Sequence, residues 1–161
     1  METPKASLPS AGRQLNASRL LVSLLAGFTA VSPFVADFNR THVYNPYWPG
    51  HARFHNGQTM TFGLLSGLLA LYFLWLRKAA TPLANWQVAC LLTALYWLEL
   101  VPAILYPGAT LTDPPQYDGR PLDVFLGITA SQWHMGLVLL LVIGGCYWVE
   151  AKRLRQAGYQ Q

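Results

Sequence analysis

Four apolar runs fenced by charge constrain this chain more than any other feature of it. Leu20 to Ala36 carries no charged residue. Phe54 to Leu76 carries none either, with His55 near its start. From Ala79 to Thr112 the one charge is Glu99, and Val124 to Val149 is charge-free with His134 inside it. A helix that crosses a bilayer needs about 20 mostly apolar residues. Hydrocarbon offers no water to backbone groups, so runs of this kind must close their hydrogen bonds internally as helices. The fold class expected is therefore all-α: an integral membrane four-helix bundle with a structured outer loop between helices 1 and 2. The expected organisation is a flexible cytoplasmic N-terminus over 1–17, a four-span transmembrane domain over 18–150 and a basic cytoplasmic tail over 151–161.

Composition excludes the main alternatives. Hydrophobic residues make up 53% and charged residues 11% of the chain, against about 25% charged in a soluble domain. That excludes both a soluble globule and a disordered chain. The net charge of +4 invites a nucleic-acid reading. The 11 basic residues, however, lie scattered between apolar runs and form no basic stripe, so no nucleic-acid partner is expected. Cys90 and Cys146 sit inside apolar runs, where a small buried thiol is the plain reading. No phosphate-binding loop, dinucleotide glycine pattern or Ser/His/Asp elbow is present.

The loops predict orientation. Lys5, Arg13, Arg19, Arg77, Lys78, Lys152, Arg153 and Arg155 put eight of the 11 basic residues on one side. By the positive-inside rule that side, with both termini, is cytoplasmic. A cleaved signal peptide is disfavoured, because Phe34-Val35-Ala36 lacks the small-x-small pattern. Gly63 and Gly67 form a GxxxG on helix 2, read as close packing within the bundle rather than dimerisation.

Depth arithmetic singles out one layer. At the helical rise, Asp37 stands about 27 Å, His55 about 33 Å, Glu99 about 26 Å and His134 about 24 Å from the inner boundary. Each helix thus delivers one titratable group to the outer third of a core about 30 Å thick. Ionisable groups at such depth face a bundle interior and mark functional sites. Pro33 and Pro102 add kinks that free the carbonyls of Thr29 and Leu98.

Three readings of this layer stay open. In the first, Glu99, His55, His134 and Asp37 carry acid–base chemistry, a desolvated carboxylate holding a proton that histidine relays. Trp133, Trp97 and Tyr96 then line an apolar pocket, while Asn56, Gln58 and Gln132 orient a polar group. Asp123 sits above His134 on one face of helix 4, along with Gly127 and Ser131. In the second, His51 and His55, spaced i and i+4, hold a divalent metal. In the third, the layer only keeps the helices in register. The function expected is an enzyme or binder for a small lipophilic molecule or lipid, reached from the outer side (periplasmic, lumenal or extracellular). The alternative is a non-enzymatic membrane protein whose polar layer is structural or binds a partner.

The stretch from Asn39 to Thr59 reads Asn39-Arg40-Thr41-His42-Val43-Tyr44-Asn45-Pro46-Tyr47-Trp48-Pro49-Gly50-His51-Ala52-Arg53-Phe54-His55-Asn56-Gly57-Gln58-Thr59. It resembles the signature N-x-T-H-x-x-N-P-x-W-P-x-H-A-R/K-F-H-N-x-Q-T of an uncharacterised family of small four-span membrane proteins of fungi and bacteria. The resemblance points to Asn39, Thr41, His42, Asn45, Pro46, Trp48, His51, Arg53, His55, Asn56 and Gln58, and implies no reaction. A likeness of architecture alone links the chain to EXPERA-type bundles, which carry carboxylates and histidine around a lipophilic pocket, and equally to DoxX-like bundles.

Overall fold

A computed structural model describes residues 15–78, 82–113, 115–117, 123–125 and 128–159. Helix α1 spans Ala17–Asp37 and α2 spans Gly50–Leu71. The second helix continues through a wider π-helical turn, Tyr72–Leu76. Helix α3 spans Pro82–Ala103 and α4 spans Gln132–Gln156. Each of the four is long and apolar enough to cross a membrane. Even the shortest, the 21 residues of α1, reaches about 31 Å at the helical rise.

The helix ends follow local chemistry. The Asn16 side chain accepts the Arg19 amide at 2.9 Å and caps α1. Pro82 opens α3, where its missing N–H has no helical partner to lose. At the end of α4, Gly158 takes φ of +85°. That left-handed residue lets Tyr159 N donate back to Leu154 O at 3.1 Å, closing the last turn.

Chain neighbours pack most closely, α1 against α2 and α3 against α4, and α2–α3 and α1–α4 complete a four-sided bundle. Two glycines set the tightest approach. A Cβ on Gly67 would fall inside contact with the Ala26 carbonyl oxygen and 2.8 Å from Ala30 Cβ. On Gly63 it would meet Pro33 Cγ at 2.7 Å and Thr29 O at 3.0 Å. The GxxxG of α2 therefore lies on α1, inside the bundle, as the sequence predicts. Across the diagonal, the buried Trp97 indole donates to Thr29 Oγ1 at 2.9 Å. Leu24, Val31, Leu65, Leu68, Val138 and Leu141 are exposed around the outside. An apolar exterior wrapped around hydrogen-bonded polar groups suits a lipid surround.

The fourth apolar run departs from expectation. Asp123–Phe125 and Ile128–Ala130 form a short antiparallel ribbon, Val124 opposite Thr129, and α4 begins only at Gln132. Val124, Ile128 and Thr129 are β-branched and favour extended backbone. Asp123 therefore does not share a helical face with Ser131 and His134, and its expected place above His134 on helix 4 is withdrawn.

Candidate functional site

The stretch from Asn39 to Thr59 builds the looped end of the α1–α2 hairpin, and much of it is hydrogen-bonded to itself. The Asn39 side chain donates to Ala36 O and accepts from both Thr41 N at 2.8 Å and Thr41 Oγ1 at 2.7 Å. Asn45 is fully buried. Its amide donates at 3.1 Å to Thr41 O and at 3.1 Å to Tyr117 O, and its Oδ1 accepts from Tyr47 N at 2.9 Å. Arg53 reaches back from α2 to donate to Asn45 O at 2.8 Å. His42 packs edge-on against Trp48, with ring centroids 5.1 Å apart. Asn39 is thus spent on its own turn.

Under this loop lies Asp37, the last residue of α1. One carboxylate oxygen accepts from Asn56 Nδ2 at 2.8 Å. The other faces His42 Nε2 at 3.7 Å. The Thr41 hydroxyl already donates to Asn39, so at 2.8 Å it accepts from His42 Nδ1. With Nδ1 committed as a donor, a proton on Nε2 makes His42 the ionic partner of Asp37. Asn56 is buried, and among the described residues its Oδ1 has no hydrogen-bond partner. A buried acceptor left unpaired costs on the order of 1–3 kcal/mol. Its presence beside a carboxylate marks a place where a donor is wanted. Tyr96, buried on α3, stands within electrostatic reach of both Asp37 and Glu99.

His55 precedes Asn56 in the chain but faces the other way. It is exposed, with His51 Nε2 3.1 Å from its own Nε2 and Gln58 Oε1 3.1 Å from its Nδ1. Glu99 is exposed near the end of α3, and His134 is exposed on the first turn of α4 with Ser131 Oγ 3.0 Å from its Nδ1. Three of the four titratable groups of the predicted centre keep separate company: Asp37 with Asn56 and His42, His55 with His51 and Gln58, His134 with Ser131. Among the described residues, no cluster of three or more His, Cys, Asp or Glu side chains could close around a metal.

The aromatic residues divide in the same way. Trp97 is core, stacked on Phe28 at 5.8 Å and edge-on to Tyr96 at 4.9 Å. Trp133 Nε1 donates at 2.9 Å to Val101 O, one of the carbonyls left open where α3 ends. Beside it opens a cleft of about 100 Å³ lined by Leu100, Ala103, Ile104, Leu111, Gln132 and Trp133. A typical small-molecule pocket holds at least roughly 300 Å³, so this cleft suits a chain end rather than a whole ligand. Gln132 and Trp133 line it; Glu99 does not.

Sequence reasoning missed His42 as the partner of Asp37, although Thr41-His42 stands only a turn beyond it. It also missed the inner end. Arg19, read as a topological charge, is buried, donating to Leu74 O and lying 4.8 Å over the Trp75 ring. Glu150 is buried and takes Arg153 in a two-pronged bond at 2.7 and 2.8 Å.

A family model described as a family of unknown function (DUF6640) matches residues 21–160, and the chain belongs to that family. No curated protein and no solved structure matches it.

Proposed function

We propose that this multi-pass membrane protein binds the polar head of a small lipophilic molecule, an alcohol or amine, at the outer end of its bundle between Asp37 and Asn56. The observation that carries the reading is the unpaired, buried Oδ1 of Asn56 next to the Asp37 carboxylate. Two acceptors side by side call for a ligand that brings N–H or O–H donors. Glu99, exposed near the end of α3, adds negative charge that draws a cationic head toward this end of the bundle. The indole of Trp133 and the cleft beside it offer apolar contact for the tail. An enzymatic form of the site uses Asp37 as the proton acceptor, with His42 holding its charge.

The orientation proposed has both termini cytoplasmic and the signature loop on the periplasmic, lumenal or extracellular side. The clustering of basic residues at the end that carries Arg77, Lys78, Lys152 and Arg155 supports it.

A second reading is structural, and the closed hydrogen bonding of the loop around Asn45 favours it. The two are separated by Asp37→Asn, which keeps shape and a partner for Asn56 but removes the charge. The full chain is purified in mild detergent and co-purifying lipids are extracted and identified by mass spectrometry, alongside thermal stability. A binding site predicts that a hydroxyl- or amine-bearing lipophile falls at least tenfold while stability holds. A structural layer predicts a lower melting temperature with the lipid profile unchanged.

A further inference from the structure

We infer that His51 and His55, oriented by Gln58, hold one divalent transition-metal ion on the exposed face of the first two turns of α2. The geometry is independent of the Asp37–Asn56 site, because His55 and Asn56 leave the helix in different directions, one exposed and one buried.

Three features converge on a metal. The first is distance. Zinc bonds to imidazole nitrogen at about 2.0–2.1 Å in tetrahedral geometry, which sets two donor nitrogens roughly 3.3 Å apart. The two Nε2 atoms are aimed at one another at 3.1 Å. A small outward rotation of either ring admits an ion in place of the proton they share. The second is the tautomer. Gln58 Oε1 stands 3.1 Å from His55 Nδ1. An acceptor there fixes the proton on Nδ1 and leaves Nε2 with its lone pair, the outer-sphere arrangement that metal-bound histidines use. The third, charge, is consistent with it: the nearest basic side chain in sequence, Arg53, is turned away to donate to Asn45 O at 2.8 Å, so that cation does not compete for the spot. Phe54 lies parallel to the His51 ring with centroids 6.3 Å apart.

Two imidazoles do not complete a coordination shell, and no third His, Cys, Asp or Glu joins them among the described residues. The remaining positions fall to water or to an oxygen donor from an arriving molecule. Such an open site differs from a closed structural one. Imidazole pairs select zinc, copper or nickel over magnesium and calcium.

The test uses the full chain in detergent with any polyhistidine tag removed, titrated with zinc by calorimetry and with cobalt by visible absorption. One ion per chain is expected. His51→Ala and His55→Ala should each weaken binding at least tenfold, and Gln58→Ala by roughly 10-fold or more, the range typical of a lost outer-sphere partner. His42→Ala and His134→Ala should bind as the parent does. Because His51 and His55 are exposed, their variants should keep the parent melting temperature without metal. Zinc binding unchanged in His51→Ala and His55→Ala, or lost equally in His42→Ala and His134→Ala, overturns the assignment. Magnesium bound as tightly as zinc overturns it too. None of these outcomes touches the lipid profile that tests the Asp37–Asn56 reading.

Discussion

Asn56 on α2 donates to Asp37 at the end of α1 at 2.8 Å, and that bond ties the two helices together at the looped end of their hairpin. It is a charge-assisted bond in a buried setting, worth more than a neutral one. Asn56→Ala removes the donor and leaves the carboxylate with His42 alone. A loss of about 1–3 kcal/mol is expected, read as a lower melting temperature in detergent. Asp37→Asn retains an amide-to-oxygen bond and should lose less. Equal losses would mean that the charge on Asp37 contributes as much as the bond does.

The glycines of α2 give a graded series. Gly67→Ala pushes a methyl group into backbone and Cβ atoms of α1 that cannot move without the helix. It should cost about 1–3 kcal/mol, the usual price of overpacking. Gly63→Ala meets mainly the Pro33 ring and should cost less. Gly57→Ala meets nothing within 4 Å and should stabilise by up to about 1 kcal/mol through helix propensity. Thermal unfolding in one detergent should rank them in that order, and a Gly57→Ala loss as large as that of Gly67→Ala would contradict the packing.

The Thr29–Trp97 bond predicts non-additivity. Thr29→Val strands the indole N–H, and Trp97→Phe removes that donor, leaving the hydroxyl its 3.5 Å bond to Thr93 O, while also thinning the core. Each single change should cost at least about 1 kcal/mol. The double variant should cost less than their sum by at least about 0.5 kcal/mol. A strictly additive cycle would show that water or another group replaces the bond.

Orientation is open to direct labelling. In a chain whose Cys90 and Cys146 are changed to alanine, a cysteine at Tyr44 should react with a membrane-impermeant maleimide from outside intact cells. A cysteine at Lys78 should react only after lysis. Both positions are exposed. The reverse pattern would place the signature loop in the cytoplasm.

The four spans were legible in the sequence and the direction of their side chains was not. Apolar runs bounded by charge gave four helices, because length and hydropathy are one-dimensional properties. Counting along a helix likewise put Asp37, His55, Glu99 and His134 at one level. Direction changes by 100° per residue, from 3.6 residues per turn, so an uncertainty of one position in where a helix faces decides whether a side chain lies inside or out. His55 and Asn56 are the case in point: consecutive, level, and opposite in exposure. The start of α4 was obscured for another reason. An apolar run does not by itself distinguish strand from helix, and Val124, Ile128 and Thr129 tip the balance to extended backbone. Arg19 was read as a topological charge because nothing in the sequence announces that it donates to Leu74 O and lies over the Trp75 ring.

The two protons of the Asn45 amide have different histories. One goes to Thr41 O, four residues away, and the other to Tyr117 O, 72 residues on. The first is available as soon as the α1–α2 hairpin exists, since closing so short a loop loses little chain entropy. The second waits until the chain beyond α3 has arrived. A single side chain therefore serves as clip for the first hairpin and as receiver for the segment that follows, so the order of assembly is built into which carbonyl reaches Asn45 first. In a membrane, where helices enter in sequence, that gives the outer end a fixed shape before the second half of the bundle is in place.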